Sequence, residues 1–88
     1  MRIIAQDKTA DIPYEKSALL ITKTNKNLFY IHGFLSDRYF WLGSYKDMND
    51  AKAVLWAIAS SFRECKTYFK MPQADEDLTY AYTGEHGA

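Results

Sequence analysis

Apolar positions fall in short runs divided by polar breaks, and their period changes once, near residue 47. Arg2-Ile3-Ile4-Ala5 is a brief β-prone run stopped by Asp7-Lys8-Thr9. Asp11 to Glu15 reads as extended, since Pro13 pushes the residue before it out of the helical region. Ser17 to Thr24 reads as a strand with its apolar centre at Leu19, Leu20 and Ile21, followed by turn residues Thr24 to Asn27. Leu28 to Leu35 is the next strand, Ser36-Asp37-Arg38 turns the chain, and Tyr39 to Tyr45 brings it back. Two short polar connections in succession imply a meander, because parallel neighbours need a crossover of about a dozen residues or more.

Beyond residue 47 the period becomes helical. Ala51, Leu55, Ile58 and Phe62 recur on one stripe, which Val54 and Ala59 widen. Asp47 is placed as N-cap, Asp50 suits the positive N-terminal dipole, and Arg63 and Lys66 suit the C-terminal end. Thr67 to Met71 reads as a last strand closed by Pro72. The expected fold is α+β: an antiparallel meander sheet of about four to five strands packed on one amphipathic helix over about 47–65. The expected organisation is a single domain over 1–72 and an acidic, flexible tail over 73–88, in which Tyr80 and Tyr82 could dock on the body or on a neighbour.

Length sharpens this picture. With 88 residues the chain makes one domain of marginal stability, for which homo-oligomerisation is one way to bury more surface. Seven Tyr, five Phe and two Trp are more large rings than a one-helix core has room for, so some are expected at a subunit interface or a ligand site. The formal charge is zero, from eleven basic and eleven acidic side chains. Because Asp75, Glu76, Asp77 and Glu85 sit in a tail without Lys or Arg, the body is mildly basic. This is short of the dense basic stripe of a backbone-tracking nucleic-acid binder, and no sequence-specific nucleic acid partner is expected. A mild bias still suits a small anionic ligand or an acidic protein surface. The single cysteine, Cys65, forbids an intramolecular disulfide, and neither a signal-type apolar stretch nor a run long enough to span a membrane occurs. The expected location is the cytoplasm, with no membrane association.

A search for chemistry yields no catalytic constellation. One central His and one Cys cannot assemble a four-ligand zinc set, and no metal or cofactor is expected. His86 lies in the tail, and Cys65, at the wrong helix end for an activated thiol, is expected to be a small packing residue. Gly33, Gly43, Gly84 and Gly87 form no phosphate cradle, and the chain is not expected to be an enzyme. The aromatic hairpin is the distinctive feature. One face of its first strand carries Leu28, Tyr30, His32 and Phe34, and the other Phe29, Ile31 and Gly33. By strict alternation the second strand carries Tyr39, Trp41, Gly43 and Tyr45 on one face and Arg38, Phe40, Leu42 and Ser44 on the other. One helix covers one face, so the second calls for a subunit, a partner or a ligand. Gly33 and Gly43 suit a bulge or a close approach. Trp56 lies off the helical stripe on the flank of Lys52 and Arg63, as an oligomer contact or a ligand platform.

The opening Arg2-Ile3-Ile4-Ala5-Gln6-Asp7 with Asp11-Ile12-Pro13-Tyr14-Glu15 resembles the start of a family of small proteins from Firmicutes and their phages, which open Arg-Ile-Ile-x-Gln-Asp. Leu42-Gly43-Ser44-Tyr45 before Ala51-Lys52, and Phe69-Lys70-Met71-Pro72 before acids, are similar to that family's later segments, while Lys8 stands where the family has Gly. The resemblance implies a phage or prophage accessory protein. A fainter likeness, to anti-Thoeris sponges, implies an oligomer that sequesters a cyclic ADP-ribose isomer or a cyclic oligonucleotide without cleaving it. Its residues would then divide the work physically. Tyr39, Trp41 or Trp56 would stack an adenine, Arg38, Arg63 or Lys52 would meet a pyrophosphate, and His32 would stand among the rings. The alternatives are an inhibitor that binds a host protein directly, as an anti-CRISPR does, and a structural module without a ligand.

Overall fold

The computed structural model describes residues 1–76. Its strands are β1 (Arg2–Ile4), β2 (Asp11–Pro13), β3 (Ala18–Lys23), β4 (Phe29–Leu35), β5 (Arg38–Tyr45) and β6 (Tyr68–Lys70), and its helix α1 is Met48–Arg63. A single 3-10 turn, Tyr14–Lys16, joins β2 to β3. The α+β class is as expected, but the sheet is divided. Strands β3, β4 and β5 form an antiparallel meander, while β2, β1 and β6 form a second three-stranded sheet in that order. The expected sheet of about four to five strands is therefore replaced by two sheets of three. The last strand does not extend the meander; it lies parallel to β1, with Ile3 opposite Phe69.

The meander's turns follow from backbone chemistry. Ser36 and Asp37 both have positive φ, at 52° and 63°. Between the paired residues Leu35 and Arg38 they make a two-residue hairpin of the mirror-image type that matches strand twist. Asn27, at φ 61°, closes the β3–β4 turn. Asp7 accepts bonds from the backbone N–H and hydroxyl of Thr9, at 3.0 and 2.6 Å, around Lys8 at φ 63°. These bonds hold the Asp7 carboxyl below its ordinary pKa of 3.8. Glycine would suit the left-handed backbone at Lys8 better than lysine.

Helix α1 begins as expected, with the Asp47 side chain accepting from Asn49 N–H at 2.7 Å. It ends in a Schellman arrangement. Lys66 N–H donates to Ser61 O at 3.1 Å and Cys65 N–H to Phe62 O at 3.0 Å, with Cys65 left-handed at φ 61°. Cys65 is exposed, so its role is conformational and the expected packing role is corrected. The buried stripe is also rotated from the expected one. Ala51, Ala53, Val54, Ala57 and Ile58 are buried, Leu55 is partly so, and Phe62 is 42% exposed with its ring 5.0 Å from that of Tyr14. Alanines at 53 and 57 let the helix approach the sheet closely, and large apolar residues alone do not reveal that.

One core joins all layers. Ile3, Ile12 and Phe69 come from the small sheet, Ile31, Leu42 and Tyr45 from the meander, and the five buried residues above from α1. Ile12 reaches under Gly33, where a side chain would collide with Ile12 Cδ1. The helix and the small sheet thus cover the same inner face of the meander. Among the described residues no helix is long and apolar enough to cross a membrane. The expected tail falls mostly outside the described residues, as do Tyr80, Tyr82 and His86.

Candidate functional site

The outer face of the meander carries the candidate site, and a break in alternation defines it. Ile31 pairs with Gly43 but His32 pairs with Trp41, so β5 bulges at Leu42. Before the bulge, Tyr39 and Trp41 point outward while Phe40 and Leu42 face the core. After it, Tyr45 faces the core, fully buried, and its hydroxyl donates to Pro72 O at 2.7 Å. The expectation that Tyr45 shares a face with Tyr39 and Trp41 is thereby corrected.

On the outer face Tyr30, His32 and Phe34 of β4 stand beside Tyr39 and Trp41 of β5. Tyr30 meets Trp41 edge-on, with centroids 6.2 Å apart and planes at 89°. His32 meets Tyr39 in the same manner at 6.2 Å and 81°, and Phe34 lies 4.8 Å from Tyr39. Edge-on packing follows from the ring quadrupoles and fixes the rings without a covering layer. His32 Nδ1 lies 3.3 Å from Thr22 Oγ1, which orients the imidazole. Leu20, Thr22, His32 and Tyr39 line a shallow hollow of about 340 Å³, and Tyr39 is 66% exposed.

The structure therefore brings His32, Tyr39 and Trp41 together and separates the other candidates from them. Arg38 shares the parity of Phe40 and lies over that ring, 5.4 Å from its centroid. Arg63 lies over Trp56 at 5.6 Å, and Lys52 is exposed one turn earlier on α1. Since α1 packs on the inner face, Trp56, Arg63 and Lys52 lie across the sheet from Tyr39 and Trp41. Outer-face stacking and these cations cannot meet on one ligand within one copy of the chain.

A second group was not singled out from sequence. The Gln6 backbone N–H donates to Leu42 O at 2.8 Å. Its side-chain oxygen accepts from Ser44 N–H at 3.0 Å, and its amide nitrogen donates to Ser44 O at 3.2 Å and Pro72 O at 2.7 Å. Gln73 Nε2 donates to Gln6 O at 3.0 Å. The Gln6 side chain lies flat on Gly43, where an added Cβ would sit 2.9 Å from Gln6 Cδ. Gln6 thus stands in for a neighbouring strand along the bulged edge of β5. The sequence signal was Gly43, a residue suited to close approach. Among the described residues no group of three or more His, Cys, Asp or Glu could hold a metal ion. Comparison with family models, with curated proteins and with solved structures gives no match.

Proposed function

We infer that this is a non-catalytic binding protein that captures a small planar ligand on the outer aromatic face of the meander. The observation that carries the reading is the hollow beside five ordered rings, lined by Leu20, Thr22, His32 and Tyr39. At about 340 Å³ it lies at the small end of ligand sites, a size for one base rather than a whole dinucleotide. Stacking on such a platform is worth roughly 1–3 kcal/mol per base. Together with the family resemblance, this favours a phage or prophage accessory protein of the host cytoplasm. Its task would be to evade immunity by sequestering a small nucleotide signal, a cyclic ADP-ribose isomer or a cyclic oligonucleotide. Arg38, Arg63 and Lys52 contribute no phosphate contact on this face, so recognition is centred on the base.

The test is a thermal-shift and Trp41-fluorescence titration with cyclic oligonucleotides, ADP-ribose isomers and free adenosine, in a Trp56→Phe background. A bound ligand at one hundred times its Kd raises stability by ~2.7 kcal/mol, and Tyr39→Ala abolishes that rise. No shift with any of these compounds overturns the nucleotide reading. The 66% exposure of Tyr39 favours a second reading, in which the same face docks on a host protein. In that case Tyr39→Ala abolishes inhibition of the host target while the nucleotides remain silent.

A further inference from the structure

We propose that two copies of this chain pair antiparallel through their β3 edges, about a two-fold axis at Ile21, to make one continuous six-stranded sheet. The inference is independent of what the outer face binds.

The two outer edges of the meander differ. The edge of β5 is interrupted at its bulge by Gln6, which takes up Leu42 O and both backbone groups of Ser44. Strand β3 ends the sheet on the other side, with β4 as its one neighbour among the described residues. Thr24 N–H donates to Leu28 O at 2.8 Å, which fixes the phase of the ladder. Alternation then places Thr22, Leu20 and Ala18 in the bonded pairs with β4, and turns the N–H and C=O groups of Leu19, Ile21 and Lys23 outward. This six-residue edge has no proline and no bulge, two of the devices that blunt an exposed edge, and its one charge, Lys23 on the inner-face side, stands at its end. The edges of β2 and β6 belong to three-residue strands, too short to template pairing.

The outward groups are self-complementary. With the axis at Ile21, Ile21 faces Ile21 of the second copy, and Leu19 and Lys23 of each copy face Lys23 and Leu19 of the other. Every outward donor then meets an acceptor. On the inner side Ile21 packs on its own equivalent and the Lys23 stem covers Leu19. On the outer side Leu20 of each copy falls beside Thr22 of the other, so the two hollows become neighbours on one aromatic surface. A formal charge of zero leaves no net repulsion between copies.

The experiment combines a sedimentation concentration series on the full chain with amide exchange at two concentrations. The expected mass moves between one and two chains, and protection at Leu19, Ile21 and Lys23 rises with concentration while Leu20 and Thr22 stay protected throughout. Lys23→Pro removes an outward donor without an intrachain bond, and is expected to weaken association at least tenfold with the near-UV dichroism unchanged. A monomer at millimolar concentration overturns the proposal. So does a dimer in which those three amides still exchange freely, or concentration-independent protection of them in a monomer, which would mean that another part of the chain occupies the edge.

Discussion

The inner and outer faces of the meander draw on similar residues and meet different surroundings. Ile31 and His32 are neighbours in β4, yet Ile31 is fully buried under the helix and His32 is half-exposed among rings. In β5, Tyr45 is fully buried with its hydroxyl bonded, whereas Tyr39 is 66% exposed. Residue type does not separate the two tyrosines; strand parity and the bulge at Leu42 do. The inner face carries most of the buried core, and the outer face is the one proposed for recognition. A sheet can divide its work this way only if its register is fixed, and Gln6 on Gly43 helps to fix it.

That division makes unequal substitutions the sharpest probe. The largest contrast is expected between Ile31→Ala and His32→Ala, measured by denaturant unfolding. The first opens a cavity and costs about 2–5 kcal/mol, lowering Tm by at least ~10 °C; the second stays within about 1 kcal/mol. Equal losses would break the distinction between the faces. Gln6→Ala comes next. It leaves Ser44 N–H at the bulge without its partner and costs about 2–3 kcal/mol, with new exchange at the Ser44 amide as its local signature. Gly43→Ala is expected to reproduce that signature by displacing Gln6.

Smaller is the tyrosine pair. Tyr45→Phe removes the bond to Pro72 O and costs about 1 kcal/mol, while Tyr39→Phe is expected to leave stability unchanged. The smallest effect lies in the turn that carries Gln6. The Asp7 carboxyl titrates lower in the folded chain than its ordinary 3.8 because Thr9 donates two bonds to it. Its contribution is present above that ordinary value and is lost as pH falls through the lower, folded one. Side-chain NMR titration should therefore place its midpoint below 3.8 in the native protein and return it upward in Thr9→Ala.

Much of this was legible in the sequence, and the omissions have physical causes. The strands of the meander, the Asp47 cap and the clustering of His32, Tyr39 and Trp41 follow from period, turn residues and alternation. The face of Tyr45 does not, because one inserted position reverses the alternation and leaves no mark beyond a nearby glycine. The pairing of β1 with β6 was hidden because three-residue strands carry almost no periodic signal and their partners lie at opposite ends of the chain. The rotated helical stripe rests on Ala53 and Ala57, whose burial comes from close approach rather than from hydrophobic size. Arg38 lies on the Phe40 side of its strand, where alternation places it, and so away from the ring platform. Gln6 was unreadable as a clamp, since an amide side chain imitating a strand has no motif.

The bond from Gln6 to Pro72 joins positions 66 apart, and it dictates an order of assembly. The hairpins of the meander close locally and can form within microseconds to milliseconds, whereas β1 has no parallel partner until β6 is in place. During synthesis β1 therefore waits, with β2 as its one local partner among the described strands, until β6 has been made. The smaller sheet is therefore the slow step of folding, although the larger one holds the proposed recognition surface.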